Sequence, residues 1–429
     1  MSEFKPFEFV HHTLDNGLQI LVSPDRVAPV VAMNLWYDVG SRHERPGRTG
    51  FAHLFEHLMF EGSTSVGTGE HMRTVQDAGG EVNATTSSER TVYIQTVPVE
   101  QLELMLYLEA DRMAGLLDGV TQECLDKQRD VVKNERRQRY DNQPYGNGHE
   151  RMAALMYPVG HPYHHLPIGS MEDLTAASLE DVHEFFRTYY TPDNAVLSIV
   201  GDVDPDAAIE LVAKHMGHIP QGSGQPEAPS GELDAPLAAD TREVLREKVP
   251  AAALFLGYRL PSLGDPVLDH LTTAASVLDN GRASVFQRRL VQGEVAQNAS
   301  VSINRRVAGA SECMVTAIGR QGTTAETLEK IIREEFQRLA VDGPSELELQ
   351  RAQSMRQRGV LDRLTSLEGR AEELCRSTTL YKDPNRINTL VDRIWATTVA
   401  DVREAVEEHL VNQPAAVLEY EPIAKEVAA

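Results

Sequence analysis

Thr49-Gly-Phe-Ala-His-Leu-Phe-Glu-His-Leu-Met-Phe-Glu-Gly62 is the most informative stretch of this sequence. Thr49 is suited to cap a helix and Gly62 to end one. Between them Phe51, Leu54, Phe55, Leu58 and Met59 recur at helical spacing, which predicts a buried stripe. His53, Glu56 and His57 form an H-x-x-E-H pattern off that stripe. At about 100° per residue, Glu56 lies about 60° to one side of His53 and His57 about 40° to the other. Two imidazoles one turn apart can hold a zinc ion, and a carboxylate beside them can reach a water there. The same five letters also suit a polar helix face carrying two solvated histidines, so context has to decide.

The 429 residues predict two to three domains at about 150 residues each. Hydrophobic residues make up 41% and charged ones 24%, which excludes a disordered or collagenous chain. The net charge of −23 argues against nucleic acid and anionic membranes as partners. Cys124, Cys313 and Cys375 are scattered without C-x-x-C spacing, so no thiolate metal site or disulfide framework is indicated. No apolar run is long enough to span a bilayer, and the start MSEFKPFEFVHH lacks the layout of a signal or transit peptide. The expected location is cytoplasmic.

Pro220 to Ala239 is rich in Pro, Gly, Ser and acids, as an exposed linker is. The halves on either side resemble each other. Pro29-VVAMNLWYDVGS is echoed by Pro250-AAALFLGYRLPS, and Ser178-LEDVHEFF by Thr398-VADVREAV. Ala195-Val-Leu recurs as Ala416-Val-Leu, an offset of 221 (416 − 195) shared with the first pair. Strands are predicted at Leu18–Pro24, Val30–Val39, Thr91–Pro98 and Glu312–Gly319. Helices are predicted at Glu100–Leu117, Glu123–Tyr140 and Thr324–Ala340, with further long helices to about Leu380. The expected fold is α+β: two similar repeats, each a largely antiparallel sheet packed by helices. Expected boundaries are 1–220, a linker at 221–240, and 241–429.

The run Gly40-SRHERPGRTGFAHLFEHLMFEGS resembles the approach and zinc helix of the pitrilysin/insulysin (M16) family of inverted-zincin peptidases. The similarity continues through Gly79-GEVNATTSSERTVY, Asp130-VVKNERRQRYDNQPYG, Tyr163-HHLPIGSMEDL and Tyr190-TPDNAVLSIVGDV, covering most of residues 10 to 215. The second half resembles the family's degenerate repeat. At the offset of 221, Ala274 and Leu278 stand opposite His53 and His57, so no metal is expected there.

The resemblance implies one zinc per chain, held by His53, His57 and the glutamate of Val132-Lys-Asn-Glu135. Glu123 and Asp130 compete for the last role on residue type alone. It also implies Glu56 as the general base of peptide hydrolysis. Where the family often has a supporting glutamate seven residues before the ligand, this chain has Gln128, a candidate to support the ligands from behind. Asn83 and Ala84, after the Gly79-Gly80 turn, are the candidates to pair with an extended peptide substrate. Ordinary turn-and-strand roles would also explain them. His161, His164 and His165 are expected to be loop histidines rather than a second metal site.

The family's degenerate repeat often carries an Arg and a Tyr that help bind substrate. The matching positions here are Leu290 and Gln297, with Arg288 and Arg289 nearby. Two repeats are also half of the four-repeat clamshell that the family uses to enclose a peptide. The expected partner is therefore a related subunit without zinc ligands that supplies the pair, as in the mitochondrial-processing-peptidase-like group. A homodimer using Arg288 or Arg289, and a non-catalytic scaffold subunit of a larger complex, are the alternatives. The acidic charge could bias such a chamber towards basic peptides.

Overall fold

The computed structural model describes residues 5–223, 233 and 236–423. Most of the expected linker, residues 224–232 and 234–235, lies outside the described residues. The chain forms two compact units. The first takes in described residues 5–135, 166–223 and 361–389, and the second takes in 136–165, 233, 236–360 and 390–423.

The first unit is built on six strands: β1 (Val10–Thr13), β2 (Gln19–Pro24), β3 (Val30–Tyr37), β4 (Glu81–Thr86), β5 (Thr91–Pro98) and β6 (Ala195–Gly201). Their order is β1-β2-β6-β3-β5-β4, antiparallel except for the β2–β6 pair. Its helices are α1 (Phe51–Leu58), α2 (Glu70–Asp77), α3 (Leu102–Gly119), α4 (Gln122–Arg136), α6 (Met171–Ala176), α7 (Leu179–Tyr189), α8 (Pro205–Met216) and α12 (Leu367–Tyr381). Strand β6 is buried at every residue and β3 at all but its first, so both faces of the sheet centre are covered. That is why these two strands read as near-continuous apolar runs, interrupted only at Asn34 and Ser198, rather than alternating ones.

The second unit has β7 (Thr241–Glu247), β8 (Ala253–Leu260), β9 (Ala296–Asn304), β10 (Ser311–Gly319) and β11 (Ala416–Pro422), in the order β7-β11-β8-β10-β9. Its helices are α5 (Gly148–Met156), α9 (Val267–Asp279), α10 (Ala325–Asp342), most of α11 (Glu346–Thr365), α13 (Leu390–Ala396) and α14 (Val399–Val406). With β2, β6, β3, β5 and β4 matched to β7, β11, β8, β10 and β9, the two sheets share one strand order and one parallel pair. The repeat extends to helix starts. Ser178 and Thr398 cap α7 and α14 with the same box, each accepting from the amide of an Asp three residues on.

The compact units differ from the linear halves because two helices at equivalent places in the repeats are exchanged. Helix α5, from the first half of the chain, packs on β8 and β11, where Met152 and Met156 join Phe255 and Tyr420 in an apolar cluster. Helix α12, from the second half, packs on β3 and β6. It closes over the register partners Asn34 and Ser198, with Ser198 donating to the Ala371 carbonyl at 2.8 Å. The Cys375 thiol donates to the Ser198 hydroxyl at 3.2 Å. Periodicity identifies a helix and its buried stripe but not which sheet that stripe will cover, so this exchange is not visible in the sequence pattern. Among the described residues no helix is long and apolar enough to cross a membrane.

Leu374 on α12 is 1% exposed. Leu374→Ala should lower stability by about 2–5 kcal/mol, the usual cost of a buried leucine truncation, read as a lower urea midpoint. Hydrogen exchange should quicken in β3 and β6 before β8 and β11; the reverse order would contradict the exchanged packing.

Candidate metal centre

The start of α1 is fixed by a carboxylate from upstream. Gly50 is the N-cap, with φ +89°, and its side-chain-free backbone offers no cap of its own. Glu44 fills that role, its two oxygens accepting from the amides of Gly50 and Ala52 at 2.8 Å each. A negative charge there also suits the helix dipole. Thr49, expected to be the cap, instead uses its amide and hydroxyl on Asp173, at 2.9 and 2.6 Å. The reason is steric as well as polar. Gly169 (φ +68°) lies against Gly50, where a Cβ would come within 2.4 Å of the Gly50 Cα. The chain therefore enters the helix through a left-handed glycine rather than an extended threonine. Helix α1 ends at Leu58, and Gly62 (φ +117°) serves the turn beyond it.

The expected stripe is in place. Phe51, Leu54, Phe55, Leu58 and Met59 are all at most 2% exposed. Phe55 packs against Phe185 and Tyr190, with ring centroids 5.0 and 5.1 Å away. Behind α1 lies a polar assembly that periodicity does not reveal. Arg112 and Glu109, both buried on α3, pair at 2.8 Å, and the Arg112 guanidinium sits 4.1 Å over the Tyr93 ring. The signal available was a charged i, i+3 pair, Glu109 and Arg112, inside an otherwise apolar helix.

On the opposite side of α1, the His53 and His57 rings stand 5.0 Å apart and nearly perpendicular. Helix α4 brings Glu135 to them. Its Oε2 lies 3.7 Å from His53 Nε2 and 3.6 Å from His57 Nε2. All three donor atoms lie within 4.8 Å of one another, and no other such His/Cys/Asp/Glu group occurs among the described residues. Two imidazole nitrogens and one carboxylate oxygen at these separations are a donor set that could hold a single zinc ion. The side chains are only 12–24% exposed, which limits competition from water for the same atoms.

The other candidates fall elsewhere. Asp130 is 78% exposed, 3.7 Å from Lys133, and Glu123 is exposed in the first turn of α4. Gln128 is buried, but its amide donates to Glu61, which also receives Lys127 at 3.0 Å. The residue thus braces α4 against the turn after α1. His161 stacks on Tyr157 with centroids 4.9 Å apart, and the His164 ring meets the Tyr157 carbonyl at 2.7 Å, both structural roles.

Glu56 is largely buried beside this donor set. Burial raises its carboxyl above the ordinary range. A hydrogen bond from Thr86 pulls it back, as does the charge of His57 and Arg90, while Glu135 pushes it up. Thr86 belongs to β4, the edge strand that also carries Asn83 and Ala84, and among the described residues β4 pairs only with β5. Arg90, which sequence reasoning did not single out, fixes this hairpin. It donates to the Thr85 carbonyl at 2.8 Å, pairs with Glu372 of α12 at 3.3 Å and lies 5.1 Å over Trp36.

In the second unit, Ala274 and Leu278 are each 1% exposed core residues, so α9 offers no donors where α1 has histidines. Leu290 is fully buried, and Gln297 donates to the Gly319 carbonyl at 2.9 Å. Arg288 pairs with Glu348 at 2.8 Å, and Arg289 with Glu335 at 3.1 Å.

Known proteins resemble this chain in sequence and fold. The family model described as Insulinase (Peptidase family M16) matches residues 19–158, and the one described as Peptidase M16 inactive domain matches residues 176–356. The zinc protease PqqE of Helicobacter pylori is 32% identical over 323 residues, 75% of this chain and 72% of that protein. The crystal structure of a protease from Helicobacter pylori matches with a TM-score of 0.90 at 27% identity, over 97% of this chain and 100% of that one. The periplasmic protease PqqL from Escherichia coli matches in fold, with a TM-score of 0.76 at 20% identity. That match spans 99% of this chain but 48% of PqqL.

Glu135→Ala should weaken zinc binding at least about a hundredfold in a chelator-competition titration, since a three-ligand site loses its only carboxylate. Glu123→Ala should leave it unchanged. Equal effects from the two would remove Glu135 from the ligand set.

Proposed function

Because the chain belongs to the M16 (insulinase) peptidase family, we propose that it is a zinc-dependent endopeptidase acting on extended peptides. The observation that carries this proposal is the convergence of His53, His57 and Glu135 on one point, with the Glu56 carboxylate on the same helix face. When bound, zinc supplies the Lewis acidity that polarises a scissile carbonyl and acidifies a water. His53, His57 and Glu135 hold the ion. Glu56 takes the proton from the attacking water and returns it to the leaving amine, a role helped by burial that makes its carboxylate a stronger base. The edge of β4, at Asn83 and Ala84, is where an extended peptide would pair, the Ala84 amide then exchanging its 2.9 Å bond to Asn83 Oδ1 for the peptide. That mode of docking is indifferent to side-chain sequence.

The proposed assembly is a heterodimer with a related subunit that lacks zinc ligands and brings an Arg/Tyr pair. Two observations support it. The positions for that pair hold a buried Leu290 and an engaged Gln297, and Arg288 and Arg289 would have to break ion pairs to substitute. The fold also recurs in a protease of roughly twice the length, as expected if two such halves act together. The cytoplasm is the proposed location, supported by three cysteines that are all free thiols.

Glu56→Gln should retain one zinc per chain while peptide hydrolysis falls by about 10²–10⁴-fold. Undiminished turnover with full metal content would remove Glu56 from the mechanism. Sedimentation of the chain alone, with a peptidase assay, tests the assembly; a fully active homodimer would contradict the heterodimer.

A further inference from the structure

In the second unit three arginines from three different segments gather on one aspartate. Asp269, 9% exposed on α9, accepts from Arg305 at 2.6 Å through one oxygen and from Arg393 at 2.6 Å through the other. Arg305 follows β9, and Arg393 lies on α13. Both carboxylate oxygens are thereby used. Burial alone would raise the Asp269 carboxyl, but Arg305 and Arg393 more than offset this and hold it below the ordinary carboxylate range.

The third guanidinium has no such partner. Arg356, on α11, reaches only neutral acceptors among the described residues: the Asp269 backbone carbonyl at 3.3 Å and the Thr273 hydroxyl. Burial lowers it to about 10; Asp269 offsets part of that, and the like charge of Arg305 adds to it. The Arg393 Nε is also buried without a hydrogen-bond acceptor. Three positive charges against one negative charge leave a local excess of two among these side chains, which are partly withdrawn from water: Arg305 is 17% and Arg393 35% exposed, and Arg356 is half-buried. A buried cation is costly unless an anion meets it. The chain's net −23 does not do so, because charges beyond a Debye length of about 8 Å are largely screened.

We propose that Arg305, Arg356 and Arg393 form a binding site for an oxyanion, a carboxylate or a phosphate group on a ligand. Planar guanidiniums with free N–H pairs bind such groups in a forked geometry. The site stands in the repeat that has no metal ligands and is independent of the peptidase proposal.

The test uses the full, zinc-loaded chain. Its thermal unfolding is followed with inorganic phosphate, and separately with an acetylated dipeptide as free acid or as amide. Sodium chloride of equal ionic strength is the control. Phosphate or the peptide acid should raise the Tm above the chloride control, and the amide should not. Which of the two acts identifies the source of the oxyanion. Arg356→Met removes the unpartnered cation. It should raise the Tm in chloride and weaken oxyanion binding at least about tenfold. Asp269→Asn frees two guanidiniums and should tighten binding. Unchanged binding in Arg356→Met would place any anion elsewhere, the zinc included, and overturn the proposal. If Arg356→Met does not fold, Asp269→Asn decides, and no gain in affinity there overturns it. Absence of any shift over chloride in the native chain does so as well.

Discussion

The Glu44 carboxylate, accepting the amides of Gly50 and Ala52, sets the first turn of α1. The directions of His53, Glu56 and His57 follow from it. A helix start left without acceptors would fray, and a shift of the first turn would swing both imidazoles away from Glu135. The Gly50–Gly169 approach admits no other entry, because a side chain at either position would strike backbone. The apolar stripe then presses α1 onto Phe185 and Tyr190, leaving the metal-binding side as the face with partial access. On α4, the Gln128–Glu61 contact fixes the helix that delivers the third donor.

Much of this was legible. The pattern around His53 and His57 placed the donors on one helix face, and the 221-residue offset anticipated two similar repeats, whose sheets share one strand order in the structure. What was not legible is where segments distant in sequence meet. Thr49 carried the strongest capping signal by residue type, yet Asp173 claims its hydroxyl and Glu44 satisfies the helix. Helix α12 reads as belonging to the second half, while its apolar stripe covers β3 and β6. Arg90 and the buried Glu109–Arg112 pair are polar residues whose meaning comes from partners on other elements, which one-dimensional periodicity does not encode. Glu135 could be separated from Glu123 and Asp130 by family resemblance alone; in the structure Glu135 is the one of the three that lies beside His53 and His57.

The two repeats put one scaffold to different electrostatic uses. In the first, α1 and α4 present imidazoles and a carboxylate suited to a cation. In the second, Ala274 and Leu278 have joined the core, and Asp269 with Arg305, Arg356 and Arg393 leaves an excess of positive charge. The sheet and helix framework tolerates this because its stability comes from buried apolar surface, which both repeats retain.

The most direct test of the metal centre is X-ray absorption at the zinc edge on the zinc-loaded chain. Two imidazole nitrogens at about 2.0–2.1 Å and light oxygen donors at about 2.0–2.2 Å, in four-coordinate geometry, are the predicted result. A sulfur shell near about 2.3 Å, or a spectrum lacking imidazole scattering, would contradict the assignment of His53, His57 and Glu135.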